Sequence, residues 1–260
     1  MNTSLKALGV VSTAVCAFAS SVLATSYNGN KATGFGGPFG NGMLTFTSSS
    51  GTVSGTITPG NNVSATTGQI YDEAVIYIDS VAGGFANTST FTAATLANGN
   101  ADYLQQAVAG SNGTLRATVN FATGFGADYA IGISPSNAAF GALYSITATG
   151  GLNFLQSVNL APTGGVGPYT FSFSLANIGS PTSFRFSTTY LNAHNDLFRS
   201  NETIGNTITD VTTPSNTGNL GQDTASVGFV TFAVPEPGTW AMMLGGVGVL
   251  ALSLRRRSLR

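Results

Sequence analysis

Short runs of alternating apolar and polar residues dominate the chain between residues 43 and 233. In Tyr169–Leu175, every second residue from Phe171 is apolar, and Thr or Ser stands between them. This period of two places successive side chains on opposite faces and predicts a half-buried strand. Further strands are predicted at Met43–Thr47, Thr52–Thr58, Ile70–Asp79, Leu115–Phe121, Tyr129–Ile133, Phe140–Thr149, Leu152–Leu160, Phe184–Tyr190 and Val227–Ala233.

Two segments depart from this alternation. Ala74–Ile78 is apolar throughout, mostly β-branched or aromatic, and so predicts a central strand buried on both faces. Ala101–Ala109 has apolar residues at helical spacing, and Gly110 ends that short helix. About 9–11 strands with one short helix predict an all-β fold, a β-sandwich or jelly roll over residues 43–233. The missing long helices disfavour a parallel sheet, and the lack of a fixed period disfavours a solenoid.

The N-terminal end predicts export. Lys6 precedes the mostly apolar Ala7–Ser20, a pattern typical of a secretory signal peptide over residues 1–24. We expect cleavage between Ala24 and Thr25. Residues 25–42 are Gly-rich with a few aromatic residues, and we interpret them as a lead-in rather than a strand.

The C-terminal end has three parts in a fixed order. They are Val234, Pro235, Glu236 and Pro237, then an uncharged run over residues 240–254, then Arg255, Arg256 and Arg257. A helix over residues 238–254 would be about 25 Å long, slightly short of the ~30 Å hydrocarbon core of a membrane. The arginines favour a cytoplasmic location for this end, with the body outside.

This order resembles the PEP-CTERM sorting signal of Gram-negative bacteria. The resemblance implies processing by an exosortase, a transient inner-membrane intermediate, and final delivery to the cell surface or extracellular matrix. It also implies a link to exopolysaccharide or biofilm. The chain is thus divided into a signal peptide (1–24), a lead-in (25–42), a sandwich (43–233) and a sorting signal (234–260) with a transmembrane helix.

The composition argues against a disordered chain and against a nucleic-acid-binding protein. Charged residues make up 7% of the chain, against about 25% in a typical soluble domain, and the 42% hydrophobic content does not suit a disordered chain. Residues 25–234 hold nine acidic and four basic residues, a net charge of about −5, which gives no basic footprint for nucleic acid. The single cysteine, Cys16, lies in the signal, so the processed body has no thiol.

Several blocks of the body look like a group of bacterial secreted surface proteins. They are Gly34–Gly37, Asp72–Ser80, Asn120–Phe125, Asp128–Ile131 and Arg199–Gly205. The strand layout is similar to DOMON-like and family 9-like carbohydrate-binding sandwiches. The resemblance implies a sandwich with carbohydrate contact and no particular reaction.

Five of the charged residues inside these blocks form the candidate site: Asp72, Asp79, Asp128, Arg199 and Glu202. Ca²⁺ is the metal that such oxygen ligands suit, and the alternative is that the acids cap turns and protect strand edges. Arg199 is expected to pair with Glu202, with Asp128 as a further candidate partner, although an arginine fork also suits a sugar or carboxylate. Asp72 and its neighbour Glu73 point to opposite faces of a strand and do not form a catalytic pair.

No cofactor is expected. DOMON domains that bind haem use Met and His ligands, which would be Met43 and His194 here, but His194 stands in a polar stretch typical of a loop. No Gly-x-Ser-x-Gly motif supports a catalytic triad. The eight Tyr residues are candidates for sugar-stacking rings, although they also suit strand packing.

The sequence therefore predicts a non-enzymatic surface or matrix protein with exosortase as a partner. The alternatives are a surface polysaccharide hydrolase, an adhesive protein, or an ice-binding protein. Carboxylates converging in a concave pocket would favour the hydrolase, whereas exposed tyrosines would favour sugar binding.

Overall fold

The computed structural model describes residues 24–60, 72–94, 102–135, 140–158, 160–161, 167–193, 197–210, 224–235 and Gly246. Apart from Gly246, these belong to one compact unit that spans residues 22–235. The predicted signal residues 1–23, the arginine cluster and nearly all of the predicted transmembrane helix lie outside the described residues. Within the described part of the chain, no helix has the length and apolar character to span a membrane.

Thirteen strands and one α-helix are formed by the described residues. The strands are β1 Thr25–Asn28, β2 Met43–Ser49, β3 Thr52–Thr58, β4 Glu73–Asp79, β5 Thr118–Phe121, β6 Tyr129–Ser134, β7 Phe140–Ile146, β8 Leu152–Ser157, β9 Tyr169–Ser174, β10 Ser183–Leu191, β11 Ile208–Asp210, β12 Thr224–Val227 and β13 Val230–Ala233. The helix, α1, spans Tyr103–Ala109, and a short 3₁₀ turn covers Leu175–Ile178.

Two antiparallel sheets form the sandwich. The four-stranded sheet has the order β1-β2-β3-β9, and the six-stranded sheet has the order β13-β10-β4-β6-β7-β8. The apolar faces of both contribute to one buried cluster. At its centre Phe46 of β2 packs edge-on against Phe186 of β10, with ring centroids 5.1 Å apart. The predicted all-β class is confirmed, with sheets arranged as in a β-sandwich.

A third layer covers the other face of the six-stranded sheet. It consists of α1 and a small sheet, β11-β12-β5, in which β12 and β5 run parallel. Val75 and Tyr77 of β4 face this layer in a second apolar cluster. The Tyr77 hydroxyl donates to the Val108 carbonyl of α1 at 2.8 Å.

Strand β4 occupies the middle of these layers. All seven of its residues are buried, which confirms the prediction of a strand covered on both faces. The predicted short helix is also confirmed: Asp102 accepts from the N–H of Gln105 at its start, and Gly110 ends it in the left-handed conformation at φ 60°.

The predictions missed three strands. Thr25–Asn28 was expected to be a lead-in, but it pairs with Met43–Phe46 as β1. The other two are β11 and β12, which are three and four residues long. Such short strands, rich in Thr and Ser, carry too little alternation to be recognised and are fixed by their partners.

We expect Ile76→Ala to lower the free energy of unfolding by about 2–5 kcal/mol, because it leaves a cavity in the sandwich cluster. Phe154→Ala removes a larger side chain, but Phe154 is 58% exposed on the edge strand β8 and should change stability by about 0.5 kcal/mol or less. Urea unfolding of both variants checks this contrast. Equal effects would contradict the burial of β4 between two layers.

Candidate functional site

The carboxylate of Glu202 accepts four main-chain hydrogen bonds. Its side chain is fully buried. Oε1 accepts from the N–H groups of Phe35 and Gly37 at 2.6 and 3.0 Å. Oε2 accepts from those of Phe39 and Gly40 at 2.9 and 3.1 Å. Four main-chain donors thus compensate a buried anion that would otherwise be unfavourable.

This arrangement fixes the Gly-rich lead-in. Gly36 and Gly37 have φ values of 96° and 95°, which turn successive N–H groups toward one point and which residues with side chains rarely adopt. The loop also places Phe39 in parallel contact with Tyr190, with ring centroids 4.9 Å apart. Two sequence blocks, one at residues 34–37 and one at 199–205, therefore meet in the fold.

Arg199 lies in a different environment. Its side chain is fully buried, and Nη2 donates to the Ala117 carbonyl at 3.1 Å. It lies beside Tyr77 in the second cluster, where burial raises the pKa of the Tyr77 hydroxyl and the Arg199 charge opposes that rise. The described contacts of Arg199 and Glu202 are therefore with different parts of the fold.

Asp79 and Asp128 lie together at the end of β4. Asp79 Oδ2 forms an ion pair with Arg185 Nη2 at 2.9 Å and accepts from the N–H of Gly126 at 3.0 Å. Asp128 Oδ2 accepts from the N–H groups of Ser80 and Val81, both at 3.0 Å. Both acids thus accept hydrogen bonds from main-chain N–H groups of neighbouring loops.

Asp72 and Glu73 lie at the other end of β4. Glu73 is fully buried and accepts from the N–H of Ala193 at 2.9 Å and from the Ser134 hydroxyl at 3.4 Å. Burial, reinforced by the neighbouring Asp72, raises the pKa of Glu73 to about 7. Burial and the charge of Glu202 raise the pKa of Asp72 to about 6, although hydrogen bonds oppose the rise.

The candidate residues therefore fall into separate groups: Asp79 with Asp128 at one end of β4, Asp72 within electrostatic reach of Glu202 at the other end, and Arg199 beside Tyr77. Asp72 and Asp79 are seven positions apart along extended chain, roughly 23 Å. Among the described residues, no group of three or more His, Cys, Asp or Glu side chains is arranged to hold a metal ion. His194 lies outside the described residues, and Met43 is half-buried on β2.

Two grooves lie near the edges of the sheets. One, of about 410 Å³, is lined by the paired Asp79 and Arg185. The other, of about 560 Å³, is lined by aromatic, amide, hydroxyl and glycine residues, and none of the described residues in its lining carries a charge. Tyr27 lies in the second groove, but no pattern in the sequence distinguished it from the other tyrosines.

Comparison with known protein families matches residues 233–257 to the PEP-CTERM protein-sorting motif. No curated protein and no solved structure matches the chain. The match confirms the expected sorting signal and implies an exosortase-sorted protein that is exported to the cell surface through membrane processing. The resemblance of the body to DOMON-like domains stays a prediction.

The matched motif begins within the fold. Ala233 is the last residue of β13, and the N–H of Val234 donates to the Thr182 carbonyl at 2.9 Å. Of the residues expected to form the sorting signal, Val234 and Pro235 are described, whereas Glu236, Pro237 and Arg255–Arg257 lie outside the described residues.

We expect Glu202→Gln to lower the free energy of unfolding by about 2–4 kcal/mol, because an amide NH₂ would face main-chain donors and leave them unsatisfied. Amide hydrogen exchange should quicken at residues 35–40. Asp102→Asn is the matched control, since asparagine also caps a helix and should change stability little. Unchanged stability and exchange in Glu202→Gln would show that this carboxylate does not hold the lead-in.

We expect the protein to be more stable at pH 5 than at pH 8. Because the pKa of Glu73 is raised to about 7 and that of Asp72 to about 6, the folded state keeps protons that the unfolded chain has released. Their contribution is fully present below about pH 4 and is lost as the pH rises through 6–7. For Glu73 it is on the order of 2 kcal/mol.

Calorimetric melting of wild type and Glu73→Gln at the two pH values measures this contribution. The variant should show a smaller difference in Tm between pH 5 and pH 8, because its side chain does not titrate. Asp102→Asn should keep the wild-type difference. The assignment to Glu73 is wrong if Glu73→Gln keeps it as well.

Proposed function

We propose that the protein is a non-enzymatic component of the cell surface or extracellular matrix of a Gram-negative bacterium, which an exosortase delivers and which contacts exopolysaccharide. The observation that carries this proposal is the PEP-CTERM motif at residues 233–257, joined without a spacer to the last strand of the sandwich. The motif supports the proposed delivery to the cell surface, and the folded body is the part of the protein that is delivered.

The way the acids are used supports a non-catalytic role. A glycosidase needs two carboxylates that face one bound sugar, about 5–10 Å apart. Here Glu202 is occupied by four N–H groups of the lead-in, and Asp79 by Arg185 and Gly126. These bonds leave the carboxylates of Glu202 and Asp79 little capacity for proton transfer. No resident metal or cofactor is part of the proposal.

The expected route combines both ends of the chain. The signal peptide directs export and is cleaved after Ala24. The tail then holds the protein at the inner membrane, with Arg255–Arg257 on the cytoplasmic side, until the exosortase acts. The body accordingly folds outside the cytoplasm, which suits its low charge and its lack of cysteine.

Replacing Arg255, Arg256 and Arg257 with glutamine tests this route. Loss of the positive charge should remove the orientation signal, so that most of the protein is found unprocessed or in the wrong fraction. Cell fractionation with immunoblotting measures both the apparent mass and the location.

Arg260→Gln is the matched control, because Arg260 lies three residues beyond the matched motif. It should be processed and located like the wild type. Normal processing and location of the triple variant would overturn the role of the arginines, and equal processing in cells that lack the exosortase would overturn the proposed delivery.

A further inference from the structure

The uncharged groove of about 560 Å³ lies where edge strands of the three sheets meet. β1 is an edge of the four-stranded sheet, β13 of the six-stranded sheet and β11 of the small sheet. The groove is lined by the end of β1, by the segment that leads into β11, and by the residues just before β13. Its volume falls in the range of about 300–1,000 Å³ that is common for small-ligand sites.

Two aromatic rings in the groove are held in place by contacts with other residues of the fold. The Tyr27 hydroxyl donates to the Thr231 carbonyl at 2.8 Å, and the Tyr27 ring packs edge-on to Phe186 at 4.9 Å. The Phe229 ring lies 5.6 Å from that of Phe125. Both side chains are half-buried. Because their positions are already fixed, little conformational entropy is lost when a ligand packs against them.

The polar groups of the groove suit a neutral, hydroxyl-rich ligand. Asn28 and Thr207 are exposed, and their side chains both donate and accept hydrogen bonds. Among the described residues that line the groove, none has a charged side chain. Arg185, which contacts the Phe229 ring, is already paired with Asp79 at 2.9 Å. An anionic ligand would therefore find no unpaired cation in the described lining.

The main chain disfavours a peptide that would pair as an added strand. Asn30 N–H donates to Thr203 at 3.0 Å, Gly205 N–H donates to Asn28 at 2.9 Å, and Gly29 pairs with Ile204. These bonds occupy main-chain N–H and C=O groups at this edge of the groove, whereas the addition of a peptide as a further strand needs unpaired ones. Side chains, not backbone, remain to make contacts.

We propose that this groove binds a chain of a neutral polysaccharide. Tyr27 and Phe229 pack against the apolar faces of sugar rings, and Asn28 and Thr207 exchange hydrogen bonds with sugar hydroxyls. The inference rests on the proposed function and deepens it, since it names the site and the class of exopolysaccharide that the surface protein contacts.

Affinity electrophoresis of the purified full chain tests the site. The gels contain a neutral glucan, a neutral galactomannan, or alginate as an acidic polysaccharide. We expect at least one neutral polysaccharide to retard the protein and alginate to leave its mobility unchanged. Phe229→Leu should weaken the retardation about fivefold or more, because it removes a flat ring while keeping an apolar side chain.

Matched substitutions on the opposite edge of the six-stranded sheet control for general effects. Phe154→Leu and Asn153→Asp lie on β8, where both residues are exposed, and should bind like the wild type. Asn28→Asp should weaken binding, because a carboxylate cannot donate to a hydroxyl. Asn28 is exposed, so this variant remains informative even if Phe229→Leu fails to fold.

Three results would overturn the proposal: no retardation by either neutral polysaccharide, retardation by alginate alone, or wild-type binding by a folded Asn28→Asp and Phe229→Leu. Loss of binding in Phe154→Leu instead would move the site to β8. Cell fractionation of Asn28→Asp should match the wild type in every case, so failure of the groove and failure of exosortase delivery are separate results.

Discussion

The interaction on which the rest of this structure depends is the buried carboxylate of Glu202 and its four main-chain donors. It turns a Gly-rich segment, which has little apolar surface of its own, into an ordered loop at the end of the sandwich. That loop connects β1 to β2, and the chain beside Glu202 pairs with residues 28–30. Removing the charge would loosen the edge strand, the lead-in and one wall of the uncharged groove together, because one anion holds all three.

Much of the fold was predictable because it depends on local pattern. Alternation identified β2, β3 and β9, and the uninterrupted apolar run identified β4 as buried on both faces. The terminating glycine of α1 was likewise visible in the sequence. These features follow from side-chain periodicity and from backbone preferences, which each residue carries wherever the rest of the chain lies.

The site was not predictable, because its contacts join residues that are far apart in the sequence. Glu202 bonds to residues that precede it by more than 160 positions, and a side chain that accepts from backbone N–H groups leaves no periodic signal. The scarcity of charge predicted that Glu202 has a partner and indicated Arg199. The described bonds of the Glu202 carboxylate go to the loop at residues 35–40, and the pairing with Arg199 stays a prediction. The signal in the sequence that points to the loop is its run of glycines, because successive N–H groups at such positions form a concave site that suits an anion. The groove was hidden too, since its two rings come from opposite ends of the body.

The direct continuation of β13 into the sorting motif has a mechanical consequence. The groove lies at the start of β13, and the tail leaves from its end, so a pull between a bound polymer and the membrane would run along this strand. The hydrogen bonds between β13 and β10 are perpendicular to that direction. They would share the force rather than break one after another. Strand β13 would thus carry a shear force while the tail is held. Release of the tail would remove that force and leave the fold unchanged.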